Sequence, residues 1–124
     1  MKLTNIQMDN YLQSLQKISE KVTGVFAYAV ARNIRKISEE LVEYRNLKDN
    51  TIRKYGTETE DGRSTIEVGS EAFYKYVEEM KDYNEIAHEV PIQMISQKEL
   101  LSSHLNANEI LSVDFMIQEE NNNE

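Results

Sequence analysis

The sequence predicts an α+β protein, mostly α: a long antiparallel helical hairpin with a short β-hairpin at its tip and small terminal strands and helices. Three observations carry this. Phe26, Val30, Ile34, Ile37, Leu41 and Tyr44 recur at steps of three and four, the period of one helical face. Phe73, Val77, Met80, Tyr83, Ala87 and Val90 do the same further on. Between them lies Asp61-Gly62, the strongest turn signal in the chain because both residues tolerate positive φ.

Residues 1–7 form a short strand in this reading, and Asp9 or Asn10 caps a first helix. Tyr11, Leu15, Ile18 and Val22 give that helix its apolar stripe, which ends near Thr23-Gly24. The long helix then runs from Phe26 to Tyr55, uninterrupted by Pro or Gly. Arg53 and Lys54 sit in its last turn, where the helix dipole favours cations. Gly56 closes it as a left-handed cap. At about 1.5 Å per residue the rod is roughly 45 Å long, and it needs a partner helix to bury its stripe.

Thr57, Thr59, Thr65, Ile66 and Val68 flank the Asp-Gly turn and favour extended structure. Ser70 caps a second helix over 70–88, and Pro91 ends it. Residues 90–95 alternate as a short strand that can pair with residues 2–6. Ser96 with Glu99, and Asn106 with Glu109, have the spacing of capping boxes for two short helices. The polar residues 118–124 form a disordered tail.

The 124 residues are read as a single domain with a modest core. Cysteine is absent, which excludes disulfides and thiol chemistry. No apolar run approaches the roughly 18 residues of a membrane span, and the N-terminus lacks the regions of a signal peptide, so the expected compartment is the cytoplasm. Net charge is −8, unevenly placed. Residues 1–55 hold ten Lys/Arg against six Asp/Glu, and residues 56–124 hold four against sixteen. Such a chain is a poor nucleic-acid binder, since phosphate contacts need clustered cations. The two halves attract each other instead, within one chain or between chains.

Candidate chemistry is sparse. Glu85-Ile-Ala-His88 has the spacing that puts both side chains on one helical face, but a di-iron bundle needs two copies and further carboxylates. His104 has no Ser or Cys motif beside it. The acid pair Glu39-Glu40 points two ways from a helix and reads as a solvated face. Gly56, Gly62 and Gly69 lack the spacing of a phosphate loop. No enzyme, metal or cofactor is expected. Tyr28, Tyr44, Tyr55, Tyr74, Tyr76 and Tyr83 lie on or near the two long helices. Tyrosine buries area at low entropic cost and keeps a polar handle, so these six are the candidate interaction surface. Arg32, Arg35 and Arg53 are the candidate anion contacts.

The long helix ending Ile-Arg-Lys-Tyr-Gly (52–56), the acidic Asp-Gly hairpin and a second helix rich in Tyr and Glu form an ordered pattern. Val-Pro-Ile-Gln-Met-Ile (90–95) and Leu-Asn-Ala-Asn-Glu-Ile-Leu (105–111) leading to Phe115 complete it. Over residues 25–120 this resembles a family of small acidic proteins of unknown function from tailed phages and prophages of Gram-positive bacteria. The resemblance implies a phage accessory protein in the cytoplasm of the infected cell. Two functions follow. One is a non-enzymatic interaction protein, homo-oligomeric, acting as an assembly factor or as an inhibitor of a host protein. The other is a binder of a small nucleotide signal that counteracts host defence. The discriminating feature is whether Arg32, Arg35 and Arg53 converge or are neutralised by Glu78, Glu79 and Asp82.

Overall fold

Four helices of 14 to 17 residues frame the computed structural model, which describes residues 1–119. They are α1 (Asn5–Ile18), α2 (Gly24–Glu40), α3 (Val42–Tyr55) and α4 (Glu71–Asn84). Strand β1 (Lys2–Thr4) pairs antiparallel with β4 (Ala87–Glu89), Leu3 opposite His88. Strands β2 (Thr57–Glu58) and β3 (Ser64–Thr65) form a second antiparallel pair. Two short helices, α5 (Gln97–Leu101) and α6 (Ala107–Ser112), and a 3-10 turn at Asp114–Met116 follow. The mostly helical α+β class is therefore observed. No helix among the described residues is long and apolar enough to cross a membrane.

The central helix is α1, which packs on α2, α4 and α6. It starts five residues before the expected cap. Thr4 Oγ1 accepts from the Gln7 amide at 3.2 Å and Gln7 Oε1 accepts from the Thr4 amide at 2.9 Å, a reciprocal cap that satisfies two orphan donors. The earlier start rotates the buried face. Met8, Leu12, Leu15 and Ile18 are fully buried, while Tyr11 moves to the flank and stacks on Phe115 with ring centroids 3.9 Å apart. Asp9 caps nothing. It is buried, and its carboxylate accepts from Arg45 Nη2 at 3.0 Å and Gln13 Nε2 at 3.3 Å, tying α1 to α3.

The expected single rod from Phe26 to Tyr55 is interrupted at Leu41. Leu41 has ψ −2° in place of the helical value, yet its amide still donates to Ile37 and its carbonyl still accepts from Arg45. No Pro or Gly lies there. Packing accounts for the break: α2 lies on α1, α3 lies on α4, and the fully buried Leu41 sits where the partner changes. On α2 the buried row is Phe26, Ala29, Val30, Asn33 and Ile37, with Ile34 at its edge.

Helices α3 and α4 run antiparallel. The Tyr44 hydroxyl donates to Asn84 Oδ1 at one end, and Lys54 pairs with Glu79 toward the other at 2.7 Å. A second ion pair, Lys21 with Glu109, also joins the basic half to the acidic half. Each exposed pair contributes about 1 kcal/mol at most. In the hairpin the Gly62 amide donates to Thr59 and Gly62 takes φ +82°, which makes glycine the natural occupant. Gly56 differs from expectation. Its φ of −85° is extended, and what excludes a side chain is space: an added Cβ would lie 2.5 Å from the Ile52 carbonyl oxygen and 2.6 Å from that of Thr65.

Helix α4 ends at Asn84, not at 88, with Glu85 as its C-cap. The strand that pairs with β1 is therefore residues 87–89, before Pro91, and not 90–95. Residues 90–95 pass over α2 as irregular chain, turning at Pro91, where the Ile92 amide donates to the Val90 carbonyl at 2.9 Å. Asn33, fully buried, holds them by accepting from the Gln93 amide at 2.7 Å and donating to the Gln93 carbonyl at 2.9 Å. Ile95 then makes a parallel bridge to Ile117, and the Gln118 amide donates to the Ile95 carbonyl at 2.7 Å. Of the tail expected over 118–124, Gln118 is thus tied down, and residues 120–124 lie outside the described ones.

Candidate functional site

A cavity of about 230 Å³ lies at the α2–α3 junction. One stripe of the interrupted helix forms its first wall: Glu40, Glu43, Tyr44 and Leu47, at steps of three, one and three. The opposite side comes from Tyr83 near the end of α4, Ile86 in the following turn and His88 on β4. Asn5, at the start of α1, completes the lining. The Asn5 amide donates to the Ile86 carbonyl at 2.9 Å, and its side-chain Nδ2 donates to the Tyr83 carbonyl at 2.9 Å. These two bonds fix the turn after α4 against α1.

The charged side chains of the lining are two carboxylates, Glu40 and Glu43, with His88 beside the first. His88 Nδ1 lies 3.1 Å from Glu40 Oε1. Glu43 is exposed, and no Lys or Arg lines the cavity. Asn5 is only 4% exposed, and its Oδ1 is the one buried side-chain nitrogen or oxygen without a hydrogen-bond partner among the described residues. Burial, followed by the nearby charge of Asp9, pushes the Tyr44 phenol above its usual range. Tyr76 is raised by burial and then by Asp49 and Asp9. Both phenols are therefore protonated donors over the physiological range.

The Glu85–His88 pair does not share a helical face, because α4 has ended and His88 stands on a strand. Among the described residues no three His, Asp or Glu are placed to hold a metal ion. His104 is exposed in the turn after α5, beside Ser102 and Ser103 and facing the start of α2.

The structure divides the six tyrosines. Tyr44 is buried between α3 and α4, and Tyr76 packs against the core. Tyr55 is half-buried beneath Lys54, whose Nζ lies 5.1 Å from the ring centroid. Tyr28 and Tyr74 are 60% and 65% exposed, and Tyr83 is partly exposed at the cavity. Tyr28, Arg32 and Arg35 share the outward face of α2 with Val25, and the Arg32 guanidinium lies 5.8 Å from the Tyr28 ring centroid. Arg53 is on α3, lining a shallow depression with Asp49, Arg63 and Ser64. Arg35 and Arg53 are thus separated by roughly 27 Å of helical path. The acid that pairs across to α3 is Glu79, and its partner is Lys54.

Sequence reasoning missed Asn5, Glu43, Leu47 and Ile86 as neighbours, and it assigned Glu40 to a solvated face. These residues come from three separate stretches of chain, and none stands in a recognisable motif. The usable signal was the row Glu40, Glu43, Tyr44 and Leu47, which puts acids beside an apolar surface on one helical face. Compared with known proteins, the chain matches no family model, no curated protein and no solved structure.

Proposed function

We propose that the chain is a non-enzymatic interaction protein that works as a homo-oligomer. The observation that carries this is the outward face of α2, where Val25 and Tyr28 are each 60% exposed and Arg32 and Arg35 follow on the same face. Tyrosine and arginine dominate the energetics of protein interfaces, and a Tyr ring already paired with a guanidinium is preorganised for contact.

The partner this face fits best is a second copy. The antiparallel hairpin of α3 and α4, with its β-hairpin at the tip, turns Tyr74, Glu78, Lys81 and Glu85 outward at steps of four, three and four. Arg32 and Arg35 of one protomer complement Glu78 and Glu85 of another, and a twofold pair makes the contact twice. The resemblance to small phage and prophage proteins supports a place in the cytoplasm of an infected cell, as an assembly factor or an inhibitor of a host protein. The nucleotide-signal alternative needs Arg32, Arg35 and Arg53 around one anion, and their separation along the helical path gives it less support.

Native mass spectrometry of the full chain tests the proposal. The wild type is expected as a dimer, Arg32→Glu/Arg35→Glu as a monomer, and that variant mixed with Glu78→Lys/Glu85→Lys as a heterodimer. A wild type that stays monomeric across a concentration series refutes self-association. A dimer indifferent to both charge reversals refutes this face.

A further inference from the structure

We propose that the cavity at the α2–α3 junction is a binding site for an organic cation, an alkylguanidinium or alkylammonium group. It lies apart from the Tyr28 face and does not depend on self-association. The chemistry of the lining selects the ligand. Two carboxylates, Glu40 and Glu43, stand on the rim with no Lys or Arg among the lining residues. An anion placed there meets repulsion, whereas a cation with several N–H groups finds acceptors.

The apolar part of the lining asks for more than a bare ion. Tyr44, Leu47, Tyr83 and Ile86 give rings and methyl groups along the cavity, and Ile86 remains 47% exposed with nothing packed over it. A short alkyl stem covers that surface, and the electron-rich ring faces of Tyr44 and Tyr83 favour a cationic head near them. The volume suits a ligand the size of an arginine or lysine side chain and is smaller than most drug-sized sites.

Asn5 supplies an independent observation. Its Nδ2 is committed to the Tyr83 carbonyl, so the amide orientation is fixed. Its Oδ1 is left buried and unpaired on a cavity-lining residue. A buried acceptor without a donor is costly, and because Oδ1 is enclosed a ligand N–H reaches it only as the lining gives way. No hydroxyl or thiol nucleophile other than tyrosine lines the site, so its chemistry is recognition.

The cation can come from a free small amine or from a basic side chain presented by a partner protein, and the test separates them. The full chain, labelled with 15N and 13C, is titrated with n-butylguanidinium chloride, n-butylammonium chloride, the neutral n-butylurea and a blocked Gly-Arg-Gly peptide. Saturable shifts at Asn5, Leu47, Tyr83 and Ile86 are expected with the cations and not with the urea. Glu40→Gln/Glu43→Gln should weaken binding about tenfold, as expected for loss of a charge-assisted hydrogen bond. Shifts from the peptide as well assign the site to a presented side chain. Shifts from the small cations alone assign it to a free amine. Should the double variant unfold, Ile86→Lys places the protein's own ammonium at the mouth and should block the probes. Absence of saturable shifts, equal binding of n-butylurea, or cation affinity unchanged in a folded variant overturns the assignment. Because Tyr28, Arg32 and Arg35 take no part, a negative result here leaves the dimer test unaffected.

Discussion

Replacing Asn33 with leucine should cost this protein a large share of its stability. The side chain is fully buried on α2 and is bonded to both backbone groups of Gln93, at 2.7 Å and 2.9 Å. It does for the 90–95 segment what a neighbouring strand would do. Leucine has the same number and branching of side-chain heavy atoms, so no cavity forms, and the loss is chiefly polar. Two net hydrogen bonds at about 1 kcal/mol each, plus partial exposure of the unpaired Gln93 groups to an apolar neighbour, come to about 3 kcal/mol. That is a substantial part of the roughly 5–15 kcal/mol typical of a domain, equivalent to a fall in Tm of about 10 °C. Urea denaturation followed by far-UV circular dichroism gives the global value, and native-state hydrogen exchange reports the Gln93 amide. Asn33→Asp is the sharper companion. It keeps the acceptor for the Gln93 amide but turns a carboxylate toward the Gln93 carbonyl. Burial raises the folded pKa of that new carboxyl above its unfolded value, so its deficit should grow as pH rises through the carboxylate range and shrink on acidification. If Asn33→Leu shifts stability by less than about 0.5 kcal/mol, the size of a neutral surface change, and the Gln93 amide stays protected, the clamp is not what holds this segment.

Two further perturbations follow from the same packing. Gly56→Ala places a methyl group within 2.6 Å of two backbone carbonyl oxygens, Ile52 and Thr65, so α3 and β3 must separate; a loss of about 1–3 kcal/mol is expected, with weakened exchange protection at Thr65, and a gain in stability would contradict the close approach. Tyr44 and Tyr76 keep their protons in the fold because burial, then nearby carboxylates, raise their pKa values. The unfolded chain ionises them near pH 10, so their contribution is intact below that pH and is lost as pH rises above it. Absorbance at 295 nm during alkaline titration should show a late component that shrinks in Tyr76→Phe, and a loss of amplitude confined to the ordinary range near pH 10 would refute the burial argument.

The parts of the fold that were legible are those governed by neighbours in sequence. Ser70 accepts from the Phe73 amide, Ser96 from Glu99, and Asn106 with Glu109 forms a full reciprocal cap, as their spacing indicated. The Asp61-Gly62 turn likewise sits between two short strands. What sequence did not reveal depends on partners far along the chain. Thr4 outcompeted Asp9 as a cap because Gln7 could reciprocate, and that freed Asp9 to meet Arg45, 36 residues away. The end of α4 was misplaced because Ala87 and Val90 continue the helical period, while β1 captured residues 87–89 instead. Asn33 interrupts an apolar row with a polar side chain, and only the approach of Gln93 gives that interruption a purpose.

The interruption at Leu41 links these local choices to the two surfaces argued above. By restarting after Leu41, the chain lets α2 follow α1 and lets α3 follow α4. That leaves the outward face of α2 uncovered, with Val25 and Tyr28 exposed. The junction also sets Glu40, from the last turn of α2, beside Glu43, Tyr44 and Leu47 of α3 and opposite the strand that carries His88. Both the face and the cavity are therefore consequences of one change of packing partner, in a stretch whose sequence alone would have continued as a single helix.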